Sequence, residues 1–229
     1  MKETDILTIS EWSGGDLLQG IPAQTVSAIS TDTRALRGGE LFVALKGERF
    51  DAHDYLDEAV AAGAGALLVQ ELPKVTETFS LPIIRVRDSL LGLQELARNY
   101  RRSLSIPVVG ITGSSGKTST KDLLRAVFEK QGLVNATHGN LNNHIGLPLS
   151  VLNTSGRDEF AVFEMGMSHP GEIERLAEIA QPTAGVITCI GTAHLGQMGS
   201  QEAIAEEKGM LVEAIRSDGF VVLPANDPF

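Results

Sequence analysis

The residues with the clearest chemical potential lie in a glycine-rich segment, residues 109–119, which reads VGITGSSGKTS. Glycines let consecutive backbone N–H groups turn towards a phosphate, and a helix that starts there adds the positive end of its dipole. Lys117 is then placed to reach the β- and γ-phosphates of a nucleotide, and the Thr118 hydroxyl to ligate Mg²⁺. The residues expected around the phosphates are Gly113, Ser114, Ser115, Gly116, Lys117, Thr118 and Ser119. The usual pattern has glycine where this chain has Ile111, so the segment is a variant that predicts phosphate binding without indicating the acceptor.

A carboxylate and an imidazole follow two later apolar segments. Glu164 closes the run FAVFE, and His194 lies in a short loop after residues 183–190. Phosphoryl transfer needs a carboxylate to hold the metal ion, and ligands of parallel sheets bind beyond the carboxyl ends of the strands. Both residues are therefore candidates for the same site as Lys117. The alternatives, a glutamate at the solvent end of its strand and a surface histidine, stay open from the residues alone.

Two other features are more ambiguous. Lys208 stands in a predicted helix, residues 200–216, after two glutamates, where a solvated lysine in an i,i+4 ion pair is the simplest interpretation. Residues 138–148, HGNLNNHIGLP, offer several amide groups close together, among them Asn142 and Asn143. Such amides either cap a loop or contact a ligand, and the spacing does not choose between the two.

The elements that must position these residues change in character near residue 105. After it, apolar strands alternate with helices, which predicts an α/β fold with a mainly parallel sheet covered on both faces. The strands are predicted at residues 107–111, 160–165, 183–190 and 219–223, and the helices at 117–130, 172–180 and 200–216. Before it, a small mixed α/β domain is expected, with strands at 25–30, 40–45, 66–69 and 83–86 and helices beginning after Asp54 and Asp88. The segment 103–106 is the predicted boundary between domains 1–104 and 105–229.

Length and composition narrow the class of protein. The chain has 229 residues, 42% hydrophobic and 21% charged, which is typical of one large or two modest globular domains and excludes a disordered or collagen-like chain. Its apolar runs are too short to span a membrane, and its first residues lack a signal-peptide core. A single cysteine excludes an internal disulfide and suits a reducing, cytoplasmic location. The net charge of -10 argues against nucleic acid or a membrane surface as a partner, while it permits a local phosphate site.

Several longer motifs resemble the Mur ligases, the ATP-dependent amide-forming enzymes of peptidoglycan synthesis. The motifs are VGITGSSGKTS, GNLNNHIGLPLSVL, FEMGMSHPGEI and GTAHL followed by EEKG, with STDTRALRGGELFVALKGERFDAHDY in the first hundred residues. The resemblance implies a UDP-substrate-binding N-terminal domain followed by a P-loop central domain that binds ATP. The pairing of TGSSGKTS with GNLNNHIGLP is most similar to the branch that adds D-Ala-D-Ala to UDP-N-acetylmuramoyl-tripeptide.

The same resemblance implies roles for individual residues. Lys117 and Thr118 bind the ATP phosphates and Mg²⁺, Glu164 holds a first metal ion, and His194 holds a second. Lys208 is the lysine that this family carbamylates, so that its new carboxylate faces the second Mg²⁺. The implied catalytic residues are thus Lys117, His194 and Lys208. Asn142, Asn143 and Asn226 are implied near the nucleotide. The implied uridine-nucleotide pocket is formed or bordered by Thr33, Arg34, Lys46, Gly47, Phe50, Asp51 and His53.

We therefore expect a monomeric cytoplasmic ligase that uses ATP and Mg²⁺ and proceeds through an acyl phosphate. The family's enzymes are about twice as long, so we expect this chain to lack a C-terminal domain, to hold an incomplete central sheet and to be inactive alone. Three alternatives stay open: the related ligase that adds the third amino acid, a P-loop phosphotransferase, and a fragment that binds nucleotides without turnover. The expected substrates of the ligase are UDP-N-acetylmuramoyl-tripeptide and D-Ala-D-Ala.

Overall fold

The computed structural model describes residues 1–72 and 79–229, which divide into two compact units, Met1–Tyr100 and Arg101–Phe229. The first unit contains β1 (Thr4–Asp5), α1 (Ile6–Ser13), β2 (Asp16–Gln19), β3 (Thr25–Val26), β4 (Ile29–Ser30), β5 (Leu41–Val43), α2 (Leu56–Ala61), β6 (Ala66–Val69), β7 (Ile83–Arg85) and most of α3 (Ser89–Arg102). The second contains β8 (Val108–Thr112), α4 (Lys117–Phe128), β9 (Val134–Ala136), α5 (Gly146–Leu152), β10 (Phe160–Glu164), α6 (Glu172–Ala180), β11 (Ala184–Ile187), α7 (Leu195–Met198), α8 (Gln201–Glu213) and β12 (Phe220–Val222). Over the described residues, no helix combines the length and the apolar character that a membrane span needs.

The first unit is built on a five-stranded mixed sheet in the order β2–β7–β6–β5–β4. β2 pairs antiparallel with β7, and the other neighbours are parallel. Every residue of β6 is buried, which accounts for its uniformly apolar sequence ALLV, because a parallel strand covered on both faces has no polar side. Phe42 and Leu67 belong to one core cluster with Leu56 and Ala59 of α2. The prediction of a small mixed α/β domain is confirmed.

Two local predictions in this unit are wrong. Residues 25–30 do not form one strand, because the chain changes sheets there: β3 pairs with β1, and β4 pairs with β5. Asp54 does not cap a helix. The extended residue before the turn at Ala52–Tyr55 is Asp51, whose carboxylate accepts a hydrogen bond from the N–H of His53, and α2 begins later without a side-chain cap. α1 and β2 were not predicted at all.

The second unit is built on a five-stranded sheet in the order β12–β11–β8–β10–β9, and all its strand pairs are parallel. The predicted parallel sheet is thus confirmed. Leu124 and Phe128 of α4 pack on one face, against the cluster that contains Val109 and Ile111. On the other face, Gly110 leaves room for Leu211 of α8, because an added Cβ would lie 3.0 Å from its methyl group.

The strand order sets the position of the site. β8 is central, with β10 on one side and β11 on the other, and the register pairs Ile111 with Glu164 and Thr112 with Ile187. These three strands therefore end at the same edge of the sheet, and the loops that follow them come together there.

Candidate active site

The loop after β8 has the conformation of a phosphate cradle. Gly113 and Gly116 have φ angles of 148° and 78°, in the region that favours glycine. A Cβ on Gly113 would overlap the hydroxyl oxygen of Thr188. α4 begins at Lys117 without a side-chain cap, so its first N–H groups are free to bind an anion. The Lys117 ammonium donates to the carbonyl oxygen of Gly113 at 2.7 Å, across the loop.

A second loop braces the phosphate loop from the end of β11. The N–H of Ser114 donates to the carbonyl of Cys189 at 3.0 Å, and the Ser114 hydroxyl accepts from the N–H of Gly191 at 2.8 Å. The Ser115 hydroxyl lies 3.2 Å from the Cys189 sulfur, and this contact contributes most to lowering the pKa of the thiol. These contacts fix the phosphate loop against the loop that follows β11.

Thr118 and Glu164 form the pair of oxygen ligands that the sequence suggested for Mg²⁺. The Thr118 hydroxyl donates to Glu164 Oε2 at 3.2 Å. Glu164 is only 1% exposed. Its Oε1 accepts no hydrogen bond from the described residues but lies 3.6 Å from the Lys121 ammonium. A buried carboxylate is costly unless cations and hydrogen bonds offset its charge, and the Thr118 hydroxyl is the one hydrogen-bond donor to its Oε2 among the described residues. Among the described residues, no group of three or more His, Cys, Asp or Glu side chains is placed to hold a metal ion by itself. The pair therefore fits Mg²⁺, which commonly takes one or two protein oxygens and completes its shell with phosphates and water.

A cleft of about 380 Å³ opens beside the phosphate loop. Its lining includes six of the residues singled out from the sequence: Gly113, Lys117, Asn142, Asn143, His194 and Lys208. These residues come from widely separated segments, and the sheet edge brings them together. His144, His169 and Glu172 also line the cleft, and the sequence had not suggested these three as ligands.

Lys208 is buried, so its interpretation as a solvated ion-pair partner is wrong. It is 2% exposed. Burial and then the nearby charge of Lys117 lower the pKa of the Lys208 ammonium to about 8, and Cys189 and Glu207 partly offset this. The spacing of apolar residues in the sequence does indicate that Lys208 is buried. Ile204 and Leu211, four residues before and three after, are buried positions of α8, so Lys208 lies on the helix face that packs inwards.

Glu207 is a structural residue that the sequence did not reveal. Its buried carboxylate accepts hydrogen bonds from the N–H groups of Gly171 and Ile173, both at 2.7 Å, at the beginning of α6. Beside it, burial raises the pKa of Glu172, but hydrogen bonds from the Ser168 and His169 N–H groups outweigh this and lower it. The two carboxylates thus fix the loop that forms one wall of the cleft.

His194 and the predicted asparagines differ in where they lie relative to the cleft. His194 is exposed and has a φ angle of 67°, unusual for a residue with a side chain, at the start of α7. The Asn143 side-chain oxygen accepts from the N–H groups of Ile145 and Gly146 at 3.2 and 2.8 Å, so this asparagine caps its loop and also lines the cleft. Asn226 is exposed and is not among the residues that line the cleft.

In the first unit, a pocket of about 480 Å³ is lined by Thr33, Arg34 and Phe50, among others. Phe50 stacks on Tyr55 with ring centroids 5.0 Å apart. The exposed Arg34 pairs with Asp32 through two nitrogens. The guanidinium and the N–H of Arg34 hold the pKa of the Asp32 carboxyl at about 2. The other predicted residues of this region do not line this pocket.

Those other residues form a hydrogen-bonded loop that carries Phe50. The N–H of Gly47 donates to the Phe50 carbonyl at 2.8 Å. Asp51 lies 2.6 Å from His53 Nδ1 and 3.3 Å from the Lys46 ammonium. These contacts connect the predicted residues to the segment that carries Phe50, which does line the pocket.

Two family profiles match the chain. One is described as "Mur ligase middle domain" and matches residues 111–229, and the other, "Mur ligase family, catalytic domain", matches residues 25–101. The chain is 43% identical over 230 residues to the UDP-N-acetylmuramoyl-tripeptide--D-alanyl-D-alanine ligase of Bacillus subtilis (strain 168), which covers 100% of this chain and 50% of the relative. Its fold is similar to MurF from Acinetobacter baumannii, with a TM-score of 0.91, 33% identity and coverage of 99% of this chain and 50% of that one. It is also similar to MurF ligase from Thermotoga maritima in complex with ADP, with a TM-score of 0.78, 36% identity and coverage of 89% and 47%. The chain thus spans about half the length of these relatives.

Proposed function

The chain belongs to the Mur ligase family, and on that premise we propose that it acts in an ATP-dependent ligase of cytoplasmic peptidoglycan-precursor synthesis. The proposed reaction joins D-Ala-D-Ala to UDP-N-acetylmuramoyl-tripeptide. The observation that carries the proposal is the cleft that gathers Lys117, His194 and Lys208 beside the phosphate loop. The names of the relatives support the choice of substrates.

The proposed chemistry has two steps. A terminal carboxylate oxygen of the tripeptide attacks the γ-phosphorus of ATP, and ADP leaves as an acyl phosphate forms. The amine of D-Ala-D-Ala then attacks the acyl carbon, inorganic phosphate leaves with its bonding electrons, and the amine nitrogen releases a proton. A carboxylate and a triphosphate repel each other, so the first step needs fixed positive charge. Lys117 and the N–H groups of the phosphate loop provide part of it.

Mg²⁺ supplies further neutralisation of the phosphate charge when it is bound. Thr118 and Glu164 would hold one ion, which agrees with the burial of the Glu164 carboxylate beside the Thr118 hydroxyl. His194 and Lys208 would hold a second ion once Lys208 is carbamylated, a step in which its amine attacks CO₂ and releases a proton. Because burial lowers the pKa of Lys208 to about 8, more of this amine is unprotonated at neutral pH than in an exposed lysine.

We assign residues 1–104 to UDP-substrate binding and residues 105–229 to ATP binding, in a monomeric enzyme. The Phe50–Tyr55 stack offers an aromatic face to a uracil base, and Arg34 offers a planar, charged donor to a diphosphate. Both groups border the same pocket, which supports a ligand that combines a base with phosphates.

Measurement of ADP release by the complete gene product tests this function. Multiple-turnover ADP release should require ATP, the UDP-linked tripeptide and D-Ala-D-Ala together, because without the dipeptide the acyl phosphate is not consumed. Lys117→Met should abolish the reaction, and Lys130→Met, a change of an exposed lysine just after α4, should not. Equal ADP release without the dipeptide would show that the protein is not this ligase. Activity with the UDP-linked dipeptide and lysine or diaminopimelate, in place of the tripeptide and D-Ala-D-Ala, would instead assign it to the step that adds the third amino acid.

A further inference from the structure

A second lysine of α4 is buried beside the metal-binding carboxylate. Lys121 lies one turn after Thr118 and is 7% exposed. Its ammonium donates to the Thr137 carbonyl at 3.1 Å and lies 3.1 Å from Asp122 Oδ1 and 3.6 Å from Glu164 Oε1. An ammonium group withdrawn from water is costly unless it is paired and hydrogen-bonded, and neither phosphate binding nor the sheet core requires one here.

Thr137, which follows β9, connects Lys121 to Glu164. Its carbonyl accepts from Lys121, and its hydroxyl accepts from the backbone N–H of Glu164 at 2.9 Å. The two oxygens of the Glu164 carboxylate face different partners: Oε1 faces Lys121, and Oε2 accepts from the Thr118 hydroxyl. Oε1 of the carboxylate therefore faces a fixed positive charge, while Oε2 stays beside Thr118, the other proposed ligand of the same Mg²⁺ ion.

We infer that Lys121 is a positioning residue that holds the Glu164 carboxylate oriented for Mg²⁺ bound with the nucleotide. The inference rests on the proposed function, since it assumes the Mg²⁺ site of Thr118 and Glu164. Groups that orient a metal ligand typically change metal affinity by about 10- to 100-fold when they are removed. Without Lys121, the carboxylate loses both its counter-charge and its orientation, and Mg²⁺ binding must restore them.

The opposite role for Lys121 is a placeholder that occupies the metal position and must leave when Mg²⁺ binds. The geometry argues against it. The contacts of the ammonium with Thr137 and Asp122 are shorter than its distance to Glu164, so the carboxylate is not what holds Lys121 in place. A placeholder would weaken Mg²⁺ binding, and its removal would lower the Mg²⁺ concentration that the site needs.

Calorimetric titration of ADP into the complete gene product, in EDTA and over a series of MgCl₂ concentrations, separates these roles. The proteins to compare are the wild type, Lys121→Met, Glu164→Gln, the double variant, and Lys130→Met as the matched control. We expect Lys121→Met to raise the Mg²⁺ concentration for half-maximal tightening of ADP binding by about 10- to 100-fold. Its ADP affinity in EDTA should equal that of the wild type. In the Glu164→Gln background, Lys121→Met should not raise this Mg²⁺ concentration further, because Lys121 acts through Glu164. The double variant completes a double-mutant cycle, which isolates the coupling between the two residues.

Three results would overturn the inference. The first is that Lys121→Met leaves unchanged, or lowers, the Mg²⁺ concentration for half-maximal tightening of ADP binding. The second is that Lys121→Met weakens ADP binding equally with and without Mg²⁺. The third is that Lys121→Met still raises this Mg²⁺ concentration in the Glu164→Gln background. If Lys121→Met does not fold, Lys121→Gln gives the same readout. Wild-type ADP binding that ignores Mg²⁺, or a Glu164→Gln variant that equals the wild type, would instead refute the proposed Mg²⁺ site, and this inference with it.

Discussion

Replacing Lys208 with methionine should make the protein more stable at neutral pH while it removes the proposed activity. The native structure lowers the pKa of Lys208 from 10.5 to about 8. The difference, 10.5 − 8, is 2.5 pH units, and each unit corresponds to about 1.4 kcal/mol. The buried ammonium therefore costs the native state up to about 3 kcal/mol, which a methionine of similar length does not.

The lowered pKa of Lys208 determines how the stability difference between Lys208→Met and the wild type changes with pH. The pKa of Lys208 is lower in the native state than in the unfolded chain, so the native state loses the proton first as pH rises. Below about pH 8 both states carry the ammonium, and the full cost is present; between about pH 8 and 10.5 the cost disappears. The stability advantage of Lys208→Met should thus be largest near pH 7 and vanish towards pH 10.5.

Urea denaturation at several pH values measures the effect. The buffers must be free of CO₂, because carbamylation would replace the ammonium of the wild type with a negatively charged carbamate. Lys130→Met, which changes an exposed lysine, should alter the free energy of unfolding by less than about 0.5 kcal/mol at every pH. A Lys208→Met protein that is less stable than the wild type at pH 7, or a difference that does not change with pH, would refute the reasoning.

Three further predictions follow from the other sites. Gly113→Ala should abolish ADP binding in calorimetry, because its Cβ would overlap Thr188, whereas Gly196→Ala has open space around it and should bind normally; normal binding by Gly113→Ala would contradict the cradle geometry. Glu207→Gln should lower the free energy of unfolding by about 1–3 kcal/mol, since it leaves a buried N–H at the start of α6 unpaired, and an unchanged urea midpoint would count against this role. Phe50→Ala should weaken UDP binding about tenfold, because base stacking on an aromatic ring contributes about 1–3 kcal/mol; unchanged UDP affinity would remove this pocket as the uridine site.

The buried parallel strands were predictable because burial on both faces leaves a continuous apolar signature. PVVGI and FAVFE correspond to β8 and β10 and required no knowledge of their neighbours. α5 was missed because a cluster of asparagines precedes it and because it contains Pro148, a residue that is compatible with a helix only near its first turn. β9 was missed because it is short, partly buried and at the edge of the sheet, where alternation and apolar content are both weak.

The residues of the site were predictable where a local sequence motif determines the backbone conformation. They were not predictable where tertiary packing determines which side chains are buried. Lys117 and Thr118 follow from a glycine-rich turn into a helix, a local arrangement. The burial of Lys121 depends on which side of α4 meets the rest of the fold, and a charged residue among polar neighbours gives little sign of that. The capping role of Glu207 depends on contact between α6 and α8, which are distant in the sequence.

The central claim, activation of a carboxylate by ATP, is tested most directly by an oxygen-isotope experiment on the complete gene product. The terminal carboxylate of the UDP-linked tripeptide is labelled with ¹⁸O, the ligation is run with ATP and D-Ala-D-Ala, and the released phosphate is analysed by mass spectrometry. Attack of the carboxylate on the γ-phosphorus predicts that each phosphate carries a labelled oxygen from the substrate. Release of unlabelled phosphate alongside amide formation would contradict the account.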